Sequence, residues 1–156
     1  MSRTRLLICI AACELIGYLG SFFTRPAIPT WYAWLKKPSF APPNWLFGPM
    51  WVTLYLLMGI AAYLVWNKGV AQPGVWPALA AFAVQLLLNA AWSPVFFGLR
   101  SPLAGVLVIV LLWLAILLTI VLFWKISLPA ALLLLPYILW VTLASALNIS
   151  IYLLNR

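Results

Sequence analysis

Histidine and aspartate are absent from this 156-residue sequence, and Glu14 is its only acidic residue. Without a second carboxylate or an imidazole there is no paired-carboxylate hydrolysis, no His-based triad and no His or carboxylate metal site. Cysteine is equally sparse. Cys9 and Cys13 stand four positions apart, on one face of a helix, where a strain-free disulfide does not form and two thiols alone make a poor zinc site. They read as small buried hydrophobes. No glycine-rich phosphate loop is present. Charge of either sign is scarce too: 6% of residues are charged, against about 25% in soluble domains.

What is abundant is apolar. Hydrophobic residues make up 67% of the chain and mean hydropathy is +1.15. They come in long unbroken runs, not in the helical stripes or strand alternation of a soluble core. Five windows reach the roughly 20 helical residues needed to cross about 30 Å of hydrocarbon: 6–23, 45–66, 75–98, 103–124 and 128–154. Prolines and short polar runs separate them, among them Pro26 and Pro29, Pro38, Pro42 and Pro43, Pro73-Gly74, Arg100-Ser101-Pro102 and Pro129. The expected fold class is all-α, an integral membrane bundle of five transmembrane helices forming one domain over residues 1–156.

Trp45 and Trp66 bracket the second window at a spacing of about 32 Å by helical rise, the placement of interfacial indoles. Trp76 and Trp124 fit the same belt. Arg3 and Arg5 resemble the charged start of a signal peptide, but no small-x-small cleavage site leads into a polar chain, so the first segment reads as a retained helix. The nine basic residues are scattered among helix ends and form no nucleic-acid-binding patch. Five spans place Arg3, Arg5, Lys68 and Lys125 on one side and Arg25, Lys36, Lys37, Arg100 and Arg156 on the other. That balance gives no orientation by the positive-inside rule, and the flanks favour anionic lipid on both faces.

An ion pathway would need intramembrane charge. Glu14 alone supplies it, and two readings stand side by side: a neutral carboxyl bonded to a neighbouring helix, or a functional group. No pair of broken half-helices marks an inverted-repeat transporter.

Polar and aromatic residues inside the spans follow helical spacing. Gln85, Asn89, Trp92 and Phe96 share a face of the third helix. Tyr137, Trp140, Ala144 and Asn148 share a face of the fifth, and Trp51, Tyr55 and Met58 a face of the second. Amides and indole N–H groups in hydrocarbon turn towards protein or ligand, so the three faces converge inside. Two roles stay open. Each residue alone can be interhelical glue, at about 0.6 kcal/mol per bond. Together they frame a wide, irregular interior that a flat apolar ligand fills well. Residues 24–44, with Trp31, Tyr32, Trp34, Phe40 and Pro38, Pro42 and Pro43, form a long, stiff, apolar loop, either a lid over the bundle or an interfacial anchor.

The run Trp31-Tyr32-x-x-Leu35-x-Lys37-Pro38-x-x-x-Pro42-Pro43-x-Trp45, then Gly48-Pro49-x-Trp51-x-x-Leu54-Tyr55, resembles the first loop and second helix of the TspO/translocator protein family. These are the tryptophan-rich sensory proteins, also known as peripheral-type benzodiazepine receptors. The resemblance continues through Gln85-Leu86-x-x-Asn89-x-x-Trp92-x-Pro94-x-Phe96-Phe97-Gly98 to Pro136-Tyr137-x-x-Trp140 and Leu147-Asn148. It implies a five-helix bundle, often a homodimer, with a pocket beneath the first loop that takes porphyrins such as protoporphyrin IX, sterols or benzodiazepine-type drugs. By the same resemblance the ligand-binding positions are Tyr32, Pro42, Trp51, Tyr55, Asn89, Trp92, Trp140, Ala144 and Leu147. Trp51 and Trp140 match indoles implicated in light- and oxygen-dependent porphyrin breakdown, in which the porphyrin is ligand and no further cofactor is required. The alternative is transport of tetrapyrroles or sterols across the membrane. Leu147, Tyr152 and Arg156 fit the short sterol-contact pattern and Lys37, Phe40 and Leu46 its reversed form with Phe in place of Tyr, which shows how little that pattern selects.

Overall fold

The computed structural model describes residues 2–156, and all its regular elements are helical. Helix α1 spans Arg3–Ala27, the short α2 Trp31–Trp34, α3 Asn44–Trp66, α4 Val75–Ser93, α5 Pro102–Trp124, α6 Leu128–Leu133 and α7 Leu135–Asn155. Five stretches are long and apolar enough to cross a membrane: α1, α3, α4 with its continuation to Gly98, α5, and α6 with α7. The protein is an integral membrane bundle.

Local chemistry sets the helix ends. Ser2 caps α1 by accepting from the Arg5 amide at 3.3 Å, and Ser101 caps α5 from the Ala104 amide at 3.3 Å. Gly74 takes φ +87° to turn the chain into α4, a conformation open to glycine at no steric cost.

Three boundaries differ from the sequence expectation. Helix α1 runs past Phe23 to Ala27 and takes Pro26 into its last turn. An apolar run marks hydrocarbon, whereas the helix continues as long as its carbonyls find donors. Here the Ile28 amide reaches the Thr24 carbonyl at 3.1 Å, and the Thr24 hydroxyl bonds back to Gly20 at 3.3 Å. The loop therefore starts at Ile28, not at Thr24. The third span passes into one π-helical turn at Pro94–Gly98, closed by the Leu99 amide on the Pro94 carbonyl at 2.9 Å. Pro94 brings no N–H to the ladder, and the wider turn seats Phe96 and Phe97 side by side in the interior. The fifth span is broken at Leu134, because Pro136 has no N–H for the Leu132 carbonyl.

Helices α1 and α3 pack along each other, α4 lies against α1 and α5, and α5 closes the ring against α6 and α7, with α6 returning to α3. Small residues set the tightest approach. A Cβ on Gly59 would lie 2.6 Å from the Ile10 Cα of α1, the small-residue contact that membrane helices use to bring backbones together. In the same half Ala61, Val65, Val75, Ala78, Phe123 and Ala130 are all fully buried, and Phe82 stacks on Phe123 at 5.8 Å. This half of the bundle, nearest Arg3, Trp66 and Trp124, is dense. The half beneath the first loop is not.

Candidate functional site

Between α1, α3, α4 and α7, under the first loop, lies a cavity of about 420 Å³, within the roughly 300–1,000 Å³ of ligand pockets. Its floor is a buried polar chain. Tyr55 Oη donates to Asn89 Oδ1 at 2.6 Å, Asn89 Nδ2 donates to Tyr137 Oη at 2.7 Å, and Tyr137 Oη donates to Gln85 Oε1 at 2.8 Å. Three helices are tied together at mid-membrane by groups that hydrocarbon would otherwise strand. The interhelical role expected of Asn89 and Tyr137 is thus real, and it coexists with the cavity: Tyr55 and Asn89 are also on its wall, while Gln85 and Tyr137 lie behind it.

The aromatic wall stands on this floor. Trp51 stacks on Tyr55 at 5.5 Å and meets Tyr137 edge-on at 6.3 Å. Across the cavity Trp92 stacks on Phe96 at 5.0 Å, and its Nε1 donates to Asn148 Oδ1 at 3.1 Å. Asn148 in turn donates to the Pro102 carbonyl at 2.9 Å. Trp140 meets Phe47 edge-on at 5.9 Å, and its Nε1 is buried with no acceptor among the described residues. Ala144 and Leu147 complete the α7 side.

The first loop packs over the top. Trp31 packs on Phe96 at 5.5 Å and Tyr32 on Phe97 at 5.8 Å. Asn155 at the end of α7 clamps the loop backbone through Lys36, accepting from its amide at 3.0 Å and donating to its carbonyl at 2.9 Å. Lys37 Nζ donates to the Tyr32 and Leu35 carbonyls at 2.7 and 2.9 Å and sits 4.6 Å above the Tyr32 ring. The Tyr32 hydroxyl is buried without a partner, and burial pushes its phenol above the ordinary value. Tyr32 is on the cavity wall and Trp31 packs near it on Phe96, while Trp34 is 88% exposed.

Of the nine ligand positions expected from the sequence, Tyr32, Trp51, Tyr55, Asn89, Trp92, Trp140, Ala144 and Leu147 share this one wall. Pro42 does not. It lies half-buried in the loop just before α3, where its ring stiffens the approach to Asn44, which is on the wall.

The sequence reading missed the α1 side. Gly17, Gly20, Ser21, Thr24 and Arg25 line the cavity, as does Glu14. Gly17 gives room to the Tyr55 ring, which a Cβ there would strike, and Thr24 Oγ1 lies 3.1 Å from Ser93 Oγ of α4. The signal was the run Gly17, Gly20, Ser21, Thr24 at i, i+3, i+4 and i+7, a small polar face in an otherwise apolar helix. Near the loop α1 and α3 part, and the exposed Tyr18, Gly48 and Val52 are wall residues. Val52 is about 10 Å deeper than Trp45 by helical rise, so the cavity opens sideways towards lipid as well as towards the loop.

Comparison with known proteins gives one consistent picture. The sequence model of the TspO/MBR family matches residues 9–154. A tryptophan-rich protein TspO of Archaeoglobus fulgidus is 50% identical over 155 residues, covering 99% of each chain. Protein CrtK of Rhodobacter capsulatus is 44% identical, covering 99% of this chain and 95% of its own. The human translocator protein is 39% identical over 137 residues, 86% of this chain and 80% of its own.

Proposed function

The chain belongs to the TspO/MBR family, and from that premise we propose that it is a membrane receptor for protoporphyrin IX or a similarly flat hydrophobe. The observation that carries the reading is the cavity itself: about 420 Å³ walled by Trp51, Tyr55, Trp92 and Trp140, with few polar groups left free. Asn89 and Asn148 are already engaged with protein. The wall therefore offers a ligand π-faces and apolar edges, which suit a flat conjugated ring better than a heavily hydroxylated molecule. Relatives named as sensory and as translocator proteins fit a role in sensing or moving such a ligand within the membrane.

Breakdown of the bound porphyrin under light needs no acid–base residue. An excited porphyrin passes its energy to oxygen, or accepts an electron from a nearby indole, and Trp51 and Trp140 are the indoles assigned to this role. The opening between α1 and α3 supports a second reading, exchange of tetrapyrroles or sterols with the lipid phase as a carrier.

Purified protein titrated with protoporphyrin IX in the dark, then illuminated in air, tests the proposal. Saturable tryptophan quenching followed by loss of porphyrin absorbance, with the loss slowed in Trp51→Phe and Trp140→Phe, is expected. Saturable binding without such loss leaves the sensor or carrier reading. Absence of saturation refutes porphyrin as ligand.

A further inference from the structure

The cavity wall has two charged side chains, Glu14 and Arg25, both on α1. They are eleven positions apart, about 16 Å by helical rise, with Arg25 in the last turn beside the loop. Glu14 is the only acidic side chain in the sequence, so Arg25 has no carboxylate side chain within reach. The other basic residues at this end are not competitors. Lys37 Nζ is committed to two loop carbonyls at 2.7 and 2.9 Å, and Lys36, Arg100 and Arg156 are not on the wall. Of the deeper polar groups, Tyr55, Asn89, Trp92 and Asn148 are bonded to one another, to Tyr137 or to backbone, and the indole N–H of Trp140 is a neutral donor. Arg25 is thus a planar, five-donor cation without a carboxylate partner at the mouth of a cavity whose walls are mostly aromatic and apolar.

We infer that Arg25 is a specificity-determining residue which holds an ionised carboxylate on one edge of the ligand, so that the preferred ligand class is a flat hydrophobe with an acidic edge. The inference rests on the proposed porphyrin reading and adds a direction to it. The carboxylate edge lies at Arg25, at headgroup level beside the loop, and the apolar body lies between Trp51, Trp92 and Trp140. A guanidinium takes a carboxylate through two parallel N–H···O bonds, which an ammonium does not reproduce. Neutral sterols and esterified tetrapyrroles gain nothing from it. An anionic phospholipid headgroup offers the same chemistry, and the test separates the two sources.

The experiment compares protoporphyrin IX with its dimethyl ester on wild type, Arg25→Gln and Arg25→Lys, in phosphatidylcholine vesicles with and without phosphatidylglycerol. Comparing each ligand across variants cancels its own partitioning into lipid. Arg25→Gln is expected to weaken the free acid about three- to five-fold, the scale of a partly exposed ion pair, and to leave the ester within about two-fold. Arg25→Lys should recover part of the loss. Equal weakening of acid and ester would assign Arg25 a purely structural role and overturn the inference, as would no change in either. A change confined to the phosphatidylglycerol dependence would make the headgroup the partner and overturn it as well. Failure of both ligands to bind wild type would refute the porphyrin reading itself, an outcome distinct from the others.

Discussion

The two halves of this bundle are built from the same helices and differ in what those helices carry. Towards Trp66 and Trp124, Gly59 brings α3 against the α1 backbone, buried alanines and valines of α3, α4 and α6 pack beside the stacked Phe82 and Phe123, and the interior is filled. Towards the first loop the same α3 and α4, with the π-helical turn that continues α4, carry Phe47, Trp51, Tyr55, Trp92 and Phe96, whose rings are too large and too stiff to interdigitate across the ring of helices, and a cavity remains. The chain Tyr55–Asn89–Tyr137–Gln85 lies at the boundary and fixes where one regime ends. Lipid offers no hydrophobic drive for helices to associate. The dense half and the polar boundary therefore hold the fold, and the open half carries less of that load.

Substitutions that exchange the character of the halves put this contrast to the test. Gly59→Leu forces a side chain into the α1 backbone, where even a Cβ would lie 2.6 Å from the Ile10 Cα. It should cost about 3 kcal/mol, read as a large drop in the thermal midpoint in detergent. Asn89→Leu leaves the Tyr55 and Tyr137 hydroxyls of the floor without their amide partner. A loss of about 2 kcal/mol is expected, and an unchanged midpoint would show the floor to be dispensable. Trp92→Phe removes the indole N–H that reaches Asn148 at 3.1 Å together with one ring of the fused pair. About 1 kcal/mol should be lost, with the stacked ring retained. Gly48→Trp, at an exposed position where an added Cβ meets nothing within 4 Å, should change stability by no more than about 0.5 kcal/mol. It should nonetheless slow porphyrin uptake from vesicles by narrowing the opening between α1 and α3. Uptake at the wild-type rate would place entry at the loop side.

The five spans were legible in the sequence because hydrocarbon crossing is a length and composition problem, and the apolar runs state both. The faces carrying Trp51, Tyr55, Asn89, Trp92 and Trp140 were legible because 3.6-residue spacing survives in straight helices. Where backbone geometry departs from that period, the reading fell short. Phe97 lies one position off the α-helical face of Asn89, Trp92 and Phe96 and is turned inward by the π-helical turn after Pro94. The break at Leu134 interrupts a continuous apolar run. The α1 wall went unseen because glycine, serine and threonine there act by leaving room, and Arg25 read as a flanking charge until α1 was seen to continue past Phe23. Glu14, undecided between glue and function, is on the wall at the opposite end from Arg25.

The central claim is that the open half is a ligand site and not merely imperfect packing. Ala144, half-buried on α7, faces the cavity, so Ala144→Phe puts a ring into that space. The direct measurement is a dark titration of protoporphyrin IX into wild type and this variant, followed by tryptophan quenching, with thermal midpoints recorded alongside. The account predicts saturation at one porphyrin per chain in wild type. In the variant it predicts at least about ten-fold weaker binding, the cost of losing about 1.4 kcal/mol of contact, at an equal or higher midpoint. Equal binding by both proteins, or quenching that rises without saturating, would contradict it and place the porphyrin in the surrounding lipid.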